Sequence, residues 1–561
     1  MINVTSKMEG RACRSCRLHH ISAVLLLFLV TIATGAEIKA TAYLAQIKAT
    51  AYLAQGKVQV KLGVLDKQNG DAIATYDDRL TETGWGVLNV VSGFGPKKLS
   101  DNDIMYLAGY LEGVLTQERI YQHYLNLFGI FFQGKSTDLV NKVKKFYRAQ
   151  DTWVRAQVKQ STDPVMEHLS YILSQYDGLV KGYNDNVDET VKLDIFAFQL
   201  LNGNGDTFDI IPSVNPSSRP NFSNMSRGDL EDWVSSHSHC SALVKVLGAY
   251  ENVYMSHSSW FNYAATMRIY KHYNFNIANP ATAARRMSFS SYPGYLESLD
   301  DFYLMDSGLV MLQTTNNVFN TTLYDLVTPE SILAWQRVRT ANMLARTGDQ
   351  WGAIMNVHNS GTYNNQYMII NLNLIELKKT IHDGALYVVE QIPGLVMSAD
   401  QTDILRAGYW PSYNVPFYEK VYNMSGYPDI AKSQGLDYTY QLAPRAKIFR
   451  RDAGKVKDME SMKAIMRYND YLHDPYSKGN PCSTICCRKD LAKVGAQPDG
   501  CYDTKVSDYH MARNLTSFAI NGPTLGTGLE PFSWSDRFKI SHVGLPKVYN
   551  FSFVTMTPDE L

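Results

Sequence analysis

The sequence predicts an α+β protein built in layers. Three observations carry this reading. Apolar residues recur at helical spacing from residue 101 to about 186; short segments rich in β-branched and aromatic residues follow Cys240, joined mostly by tight turns; and one helical segment, 329–345, interrupts those strands. At 561 residues with 45% apolar content, the chain is long enough for a large core. Its 54 basic and 54 acidic residues balance, so no electrostatic argument points to nucleic acid or an anionic surface.

Residues 1–36 have the pattern of a secretory signal peptide. The basic stretch "RACRSCRLHH" precedes the apolar "ISAVLLLFLVTIATGA", which ends in small residues. That apolar run falls short of the ~20 residues a membrane span needs, so no integral membrane span is expected. Cys13 and Cys16 form a CxxC in this leader and are expected to be incidental. Residues 37–80 read as an exposed N-terminal extension, because "IKATAYLAQ" occurs twice in succession at 38–46 and 47–55, and two copies cannot build a solenoid.

In "DNDIMYLAGYLEGVLTQERI", Ile104, Leu107, Ala108, Leu111, Val114 and Leu115 line one helical face behind an Asp101 or Asn102 cap. Two more helices are expected over 136–160 and 164–184. Residues 206–236 are rich in Pro, Ser, Asn and Asp and read as an exposed connection. Strands follow in "SALVKVL", "NVYMSHSSW", "TMRIYKHYNF", "RMSFSSYPG", "DFYLMDSGLVMLQTTN", "QYMIINLNL" and "ALYVVEQIPGLVMSA". Sequons at Asn221, Asn224, Asn320, Asn423, Asn514 and Asn550 fit passage through the secretory pathway, and the terminal "TPDEL" differs from an ER-retrieval signal at one position.

Without the leader five cysteines remain, four of them crowded into "PCSTICCRKDLAKVGAQPDGC". An oxidising compartment favours two disulfides over a zinc site. Three connectivities are open, and strain disfavours a bond between adjacent Cys486 and Cys487. The expected pairs are Cys482 with Cys487 and Cys486 with Cys501. Cys240 is then the odd thiol, in "DWVSSHSHCSALVKVLG".

Three roles compete for Cys240. It is a buried structural thiol, or a metal ligand with His237 and His239, whose tight spacing suits a tetrahedral site poorly, or a nucleophile. No GxSxG, HExxH or papain-like CG[SA]C[WY] motif competes with it. Cleavage between His239 and Cys240 would place a thiol and an α-amine on one residue. That amine titrates at ~7.7 to 8, close to neutral, so nucleophile and base would arise together.

From about Gly84 to Phe553 the chain resembles the phospholipase B-like family. The resemblance runs through "TGWG", "GYLEGVLT", "HCSALVKVLG", "SHSSW", "SFSSYPGYLESLDDFYL", "QTTN", "HNSGTYNNQYMI", "VVEQIPG", "GYWPSYNVPF", "LAPRAKIFRRD", "STICCRKDL" and "CYDTKV". It implies an N-terminal nucleophile hydrolase with an αββα sandwich, two antiparallel sheets between helical layers. It also implies self-cleavage into fragment 81–239 and catalytic fragment 240–561, which stay associated as one fold. Carried over by motif, His257, Thr314 or Thr315 (Thr315 being preferred), Asn414 and Arg445 surround Cys240.

Each of these has a plainer reading. His257 suits a core histidine, the threonines a strand, Asn414 a turn and Arg445 an ion pair; an amide and a guanidinium equally suit an oxyanion hole and a charged substrate. Asn364 and Asn365 read as turn residues. Asn274 stands where relatives are expected to carry an aspartate. No metal or cofactor is expected. The substrate implied is a phospholipid fatty-acyl ester, with an N-acyl amide as alternative; a non-enzymatic lipid-binding protein is the third reading. The implied location is lysosomal or secreted, and homodimer formation is left open.

Overall fold

Two large sheets organise residues 46–237 and 240–561, the part of the chain described by the computed structural model. The expected leader, the first nonapeptide copy up to Ala45, and His239 lie outside the described residues. Four strands precede the long helices: β1 (Ile47–Ala54), β2 (Lys57–Leu62), β3 (Ala72–Arg79) and, after a single helical turn at Leu80–Thr83, β4 (Trp85–Ser92). After Cys240 come β5 (Ser241–Val246), β6 (Val253–Ser258), β7 (Trp260–Asn262), β8 (Arg268–Phe275), β9 (Arg286–Ser291), β10 (Phe302–Met305) and β11 (Leu309–Thr315). Further along are β12 (Asn365–Asn371), β13 (Leu386–Ile392), β14 (Leu395–Asp400), β15 (Tyr409–Ser412), β16 (Asp499–Cys501), β17 (Asp503–Asp508), β18 (Ser517–Asn521) and β19 (Val554–Met556), beside two short two-stranded ribbons.

The larger sheet has eleven strands in the order β14, β13, β12, β11, β10, β9, β8, β4, β3, β1, β2; the smaller has six, in the order β15, β5, β6, β17, β18, β19. The protein is thus α+β, as expected. One pair departs from the expected antiparallel pattern. β4 runs parallel to β8, with Trp85 opposite Arg268, because the whole helical region forms the crossover between them.

Strand alternation sends every second side chain to the same face. Ala242 and Val244 of β5 and Val253 and Met255 of β6 therefore meet Phe302, Leu304, Val310, Leu312, Met368 and Ile370 of the larger sheet in one apolar cluster. The intervening residues Leu243, Tyr254 and Val506 pack on Ile448 and Phe449 of the helix at Pro444–Asp452 and on Met462 and Met466 of the helix at Met459–Met466.

The helices start where short polar side chains cap them. α1 (Asp101–Leu115) is capped by Ser100, which accepts from Asp103 N at 3.1 Å, so the cap lies one residue before the expected Asp101. It ends at Thr116, whose hydroxyl bonds back to Glu112 O at 2.7 Å; α2 (Gln117–Phe132) then follows, so the expected single helix is two. α3 (Thr137–Gln160) and α4 (Pro164–Asn186) match their expected segments. Gly109 of α1 lies against Gln175 O and Gly178 of α4 against Tyr106 O, so closely that a Cβ at either would meet backbone. This close pair brings Met105, Leu107 and Leu111 onto the small residues Ala49, Ala51 and Ala74 of the larger sheet.

The expected exposed extension is corrected here. The second nonapeptide copy is β1, with Ala49, Thr50 and Ala51 buried, and it turns into β2 through Gln55 and Gly56, both at positive φ as a two-residue hairpin requires. Alanines gave no strand signal by size, yet small residues are what fit beneath α1. The expected exposed connection 206–236 is corrected too. α5 (Asn204–Val214) buries Asp206, Thr207 and Ile210, and α6 (Arg227–His237) buries Leu230. Polar composition masked their helical spacing. The interrupting helix is shorter than 329–345: α7 (Ala334–Leu344) begins where Leu333 N donates to Gln336 Oε1. α8 (Pro444–Asp452) and α9 (Met459–Met466) complete the layer on the smaller sheet.

Both expected disulfides are present, Cys482–Cys487 and Cys486–Cys501, and Cys240 is a free buried thiol. Among the described residues no helix is long and apolar enough to cross a membrane. Of the sequons, Asn221, Asn224, Asn423, Asn514 and Asn550 are exposed, whereas Asn320 is half-buried and donates to Met424 O at 3.2 Å.

Asp499 of β16 is buried, and its Oδ1 accepts from Gly500 N at 2.8 Å. Burial pushes its carboxyl up from 3.8 to about 7. A carboxyl raised on folding contributes stability that is fully present below its unfolded value and lost as pH rises through the folded one. Asp499→Asn should therefore flatten the fall in thermal midpoint between pH 5 and pH 8, the variant gaining on wild type by a few kcal/mol, at roughly 1.4 kcal/mol per unit. Parallel melting curves of the two proteins across that window check it; identical curves contradict it.

Candidate active site

Cys240 stands immediately before β5, the strand next to the edge of the smaller sheet, and lines a cavity with Leu299, Asp300 and Tyr363. It is 2% exposed and has φ of 90°, a conformation that costs a residue with a Cβ about 1–3 kcal/mol. Strain of this kind recurs around it. Leu299 (φ 63°) and Tyr363 (φ 49°) line the same small cavity as Cys240, and Asn414 has φ 67°. Burial pushes the thiol well up, while the backbone N–H of Trp260 and the Lys505 ammonium pull the other way.

Arg445, at the start of α8, joins the strand to its surroundings. Its Nη1 donates to Cys240 O at 2.7 Å and to Ser241 Oγ at 3.1 Å, and its Nη2 to Asn414 Oδ1 at 2.6 Å. The guanidinium lies 4.4 Å from the Trp260 ring centroid, a cation–π contact. Enclosure pushes it down to about 10, so it stays charged near neutral pH. Asn414 in turn donates through Nδ2 to Thr315 O at 2.6 Å, and Tyr427 holds its carbonyl at 2.7 Å. Cys240, Arg445, Asn414 and the Thr315 backbone thus form one connected set.

Of the two threonines, Thr314 turns away and bonds Ser412 at 2.6 Å, whereas the Thr315 hydroxyl has no hydrogen-bond partner among the described residues. His257 is fully buried on β6, opposite Ala242, and its Nδ1 lies 3.2 Å from Lys505 Nζ. Burial, with Lys505 next, holds it well below the ordinary histidine range and hence neutral. Asn364 bonds Gly361 O at 2.9 Å and Asn365 bonds Tyr367, consistent with structural roles. Asn274 lies six residues along β8 from Arg268, about 20 Å at strand rise, so it takes no part in this set.

A charged box behind the thiol was not foreseen. Arg268 Nη2 is 2.9 Å from both Asp300 Oδ2 and Asp503 Oδ2, and Lys505 Nζ is 2.6 Å from Asp300 Oδ2 and 2.7 Å from Asp503 Oδ1. Burial works against the Asp300 carboxylate, but Arg268 and Lys505 outweigh it and hold it well below the usual range. The available signal was the spacing of Asp503 and Lys505, two charges at i and i+2 on one face of a strand.

The Cys486 and Cys487 sulfurs and Cys501 pack on Trp260, the residue under Arg445. β16 also pairs with β7, Cys501 opposite Trp260. Beside Trp260, Asn414 and Arg445 opens a cleft walled by Tyr413, Val415, Tyr427, Pro444 and, from α6, Val234. The arrangement offers a thiol, a fixed cation, an amide and an adjoining cleft whose wall combines aromatic and aliphatic side chains with Arg227, Glu231 and Asp437.

The family model described as Phospholipase B matches residues 72–556. Phospholipase B-like 1 of Rattus norvegicus is 52% identical over 504 residues, covering 89% of this chain and 90% of its own. Phospholipase B of Crotalus adamanteus is 48% identical over 556 residues, covering 97% of each. Phospholipase B-like protein D of Dictyostelium discoideum is 36% identical over 503 residues, covering 86% of each. With a family model spanning nearly all of the described residues and relatives this similar over most of both lengths, the chain belongs to the phospholipase B family.

Proposed function

We propose that this protein is a self-processed acyl hydrolase that removes fatty-acyl chains from glycerophospholipids, with Cys240 as its N-terminal nucleophile. The observation that carries the reading is the meeting of a strained, buried Cys240 with Arg445 and Asn414 at the side of a cleft. The names of the relatives favour a phospholipid as substrate, and the helix, sheet, sheet, helix packing supports an αββα sandwich.

The thiol attacks the His239 carbonyl, and an N-to-S acyl shift followed by hydrolysis frees the Cys240 α-amine. In turnover that amine takes the thiol proton as the sulfur attacks the acyl carbonyl; the proton then passes to the departing alcohol, and water hydrolyses the thioester. In this reading Arg445 supplies a cation and Asn414 an amide dipole that stabilise developing negative charge. His257, neutral and behind the strand, keeps the site in register and leaves the base role to the α-amine. Fragments 81–239 and 240–561 stay together because α1 to α5 cover the sheet that β8 to β14 complete.

Two outcomes follow. Denaturing gels after deglycosylation, with N-terminal sequencing, should find a chain beginning Cys-Ser-Ala-Leu, and Cys240→Ala should remain one uncut, inactive chain; a processed and active Cys240→Ala protein contradicts the reading. Arg445→Ala should still be cleaved, since Arg445 holds the Cys240 carbonyl and not that of His239. Its turnover on phospholipid should fall roughly ten- to a hundredfold, the equivalent of about 1.5–3 kcal/mol. Product analysis on fully cleaved protein of wild-type thermal stability measures this, with N-acyl amides run alongside to separate ester from amide hydrolysis.

A further inference from the structure

The Lys505 ammonium has more neighbours than protons. It donates at 2.6 Å to Asp300 Oδ2, at 2.7 Å to Asp503 Oδ1 and at 2.6 Å to Ser259 Oγ, and the fourth neighbour, His257 Nδ1, is the most distant at 3.2 Å. An ammonium carries three N–H donors and no acceptor. Three consequences follow from that inventory. The His257 nitrogen facing Lys505 is a lone pair, so its ring proton is on Nε2. The Ser259 oxygen already accepts a hydrogen bond from a cation. The serine's own proton is then directed away from Lys505.

His257 Nδ1 is 3.5 Å from Ser259 Oγ, too far for a good O–H···N bond. What remains in front of the hydroxyl is the small cavity that Ser259 shares with Cys240, Asp300 and Tyr363. Ser259 directly follows β6, and Cys240 directly precedes β5; the ladder between these strands ends at Ser241 opposite Ser258, so the two residues are next in register.

We propose that Lys505 is a positioning residue that acts through Ser259, turning the serine hydroxyl into a donor aimed at the Cys240 sulfur. The Asp300 and Asp503 carboxylates and Arg268 hold the ammonium in place. Charge-assisted donors are the strong ones, so a hydroxyl polarised by a buried cation stabilises a thiolate more than a free serine does. The charged and polar groups that act on the thiol are the Trp260 N–H, Lys505, Arg445, Asp300, Asp503 and Tyr363, and Ser259, Trp260, Asp300 and Tyr363 share its cavity. Arg445 donates to the Cys240 carbonyl, the Ser241 hydroxyl and Asn414 Oδ1, and its charge also acts on the thiol. Lys505 is the cation that reaches the sulfur's side through Ser259, and it offsets burial of the thiol.

This rests on Cys240 being the nucleophile, but its test needs no turnover. The rate at which iodoacetamide labels Cys240 in the whole purified protein, followed on its peptide by mass spectrometry across pH 6 to 9, reports the thiolate fraction. Ser259→Ala and Lys505→Met should each label about tenfold more slowly at a given pH, equivalent to one pH unit, with Lys505→Arg recovering part of the loss. Loosening of the fold or a wider cavity would speed labelling, the opposite direction. Should Lys505→Met fail to fold, Ser259→Ala decides alone, its fold checked by melting. Labelling in Ser259→Ala at or above the wild-type rate overturns the proposal. Absence of acyl hydrolysis by a protein that labels as expected would instead overturn the proposed function and leave this inference standing.

Discussion

The box of Arg268, Asp300, Asp503 and Lys505 is the constraint on which the rest of the structure turns. Arg268 belongs to the larger sheet and Asp503 and Lys505 to the smaller, so these ion pairs tie the two sheets across their buried space. Desolvating four charges is costly, and removing any one leaves an unpaired buried charge, a loss of about 3–5 kcal/mol. Such a group persists only where the geometry meets it from several sides. Here the Trp85, Tyr292 and Tyr502 rings surround the Arg268 guanidinium, at 5.0, 4.0 and 5.7 Å to their centroids.

The box also accounts for the setting of Cys240. The apolar core between the sheets ends where this polar patch begins, and the thiol sits at that boundary, buried enough to be protected yet beside fixed charge. On its other side, the disulfide cluster braces Trp260, and Trp260 braces Arg445. A chain of rigid supports thus reaches the carbonyl of Cys240 from the largely buried loop 482–487. Residues held at positive φ are tolerated because this surrounding structure over-determines them.

Much of this architecture was legible in the chain. Helical spacing over α1, α3 and α4, and alternation over β5 to β14, identify α+β because those periods arise from local geometry that any burial must obey. Cysteine spacing narrowed the disulfides to pairs that the structure contains. β1, α5 and α6 were missed for one reason: Ala49 and Ala51, or Asp206 and Thr207, become buried through what packs over them, and their own hydrophobicity does not announce it.

By itself the sequence determined the fold class, the family through its ordered motifs, and Cys240 as the residue of interest, since each depends on residue type and spacing along the chain. The tertiary structure alone decided that Thr315 and not Thr314 meets Asn414, that Arg445 takes the Cys240 carbonyl, and that Lys505 joins His257 to Ser259. Arg445 stands 205 residues from Cys240, and Lys505 stands 246 from Ser259. Contacts over such separations are set by strand register and by the facing of two sheets, and no local pattern encodes either.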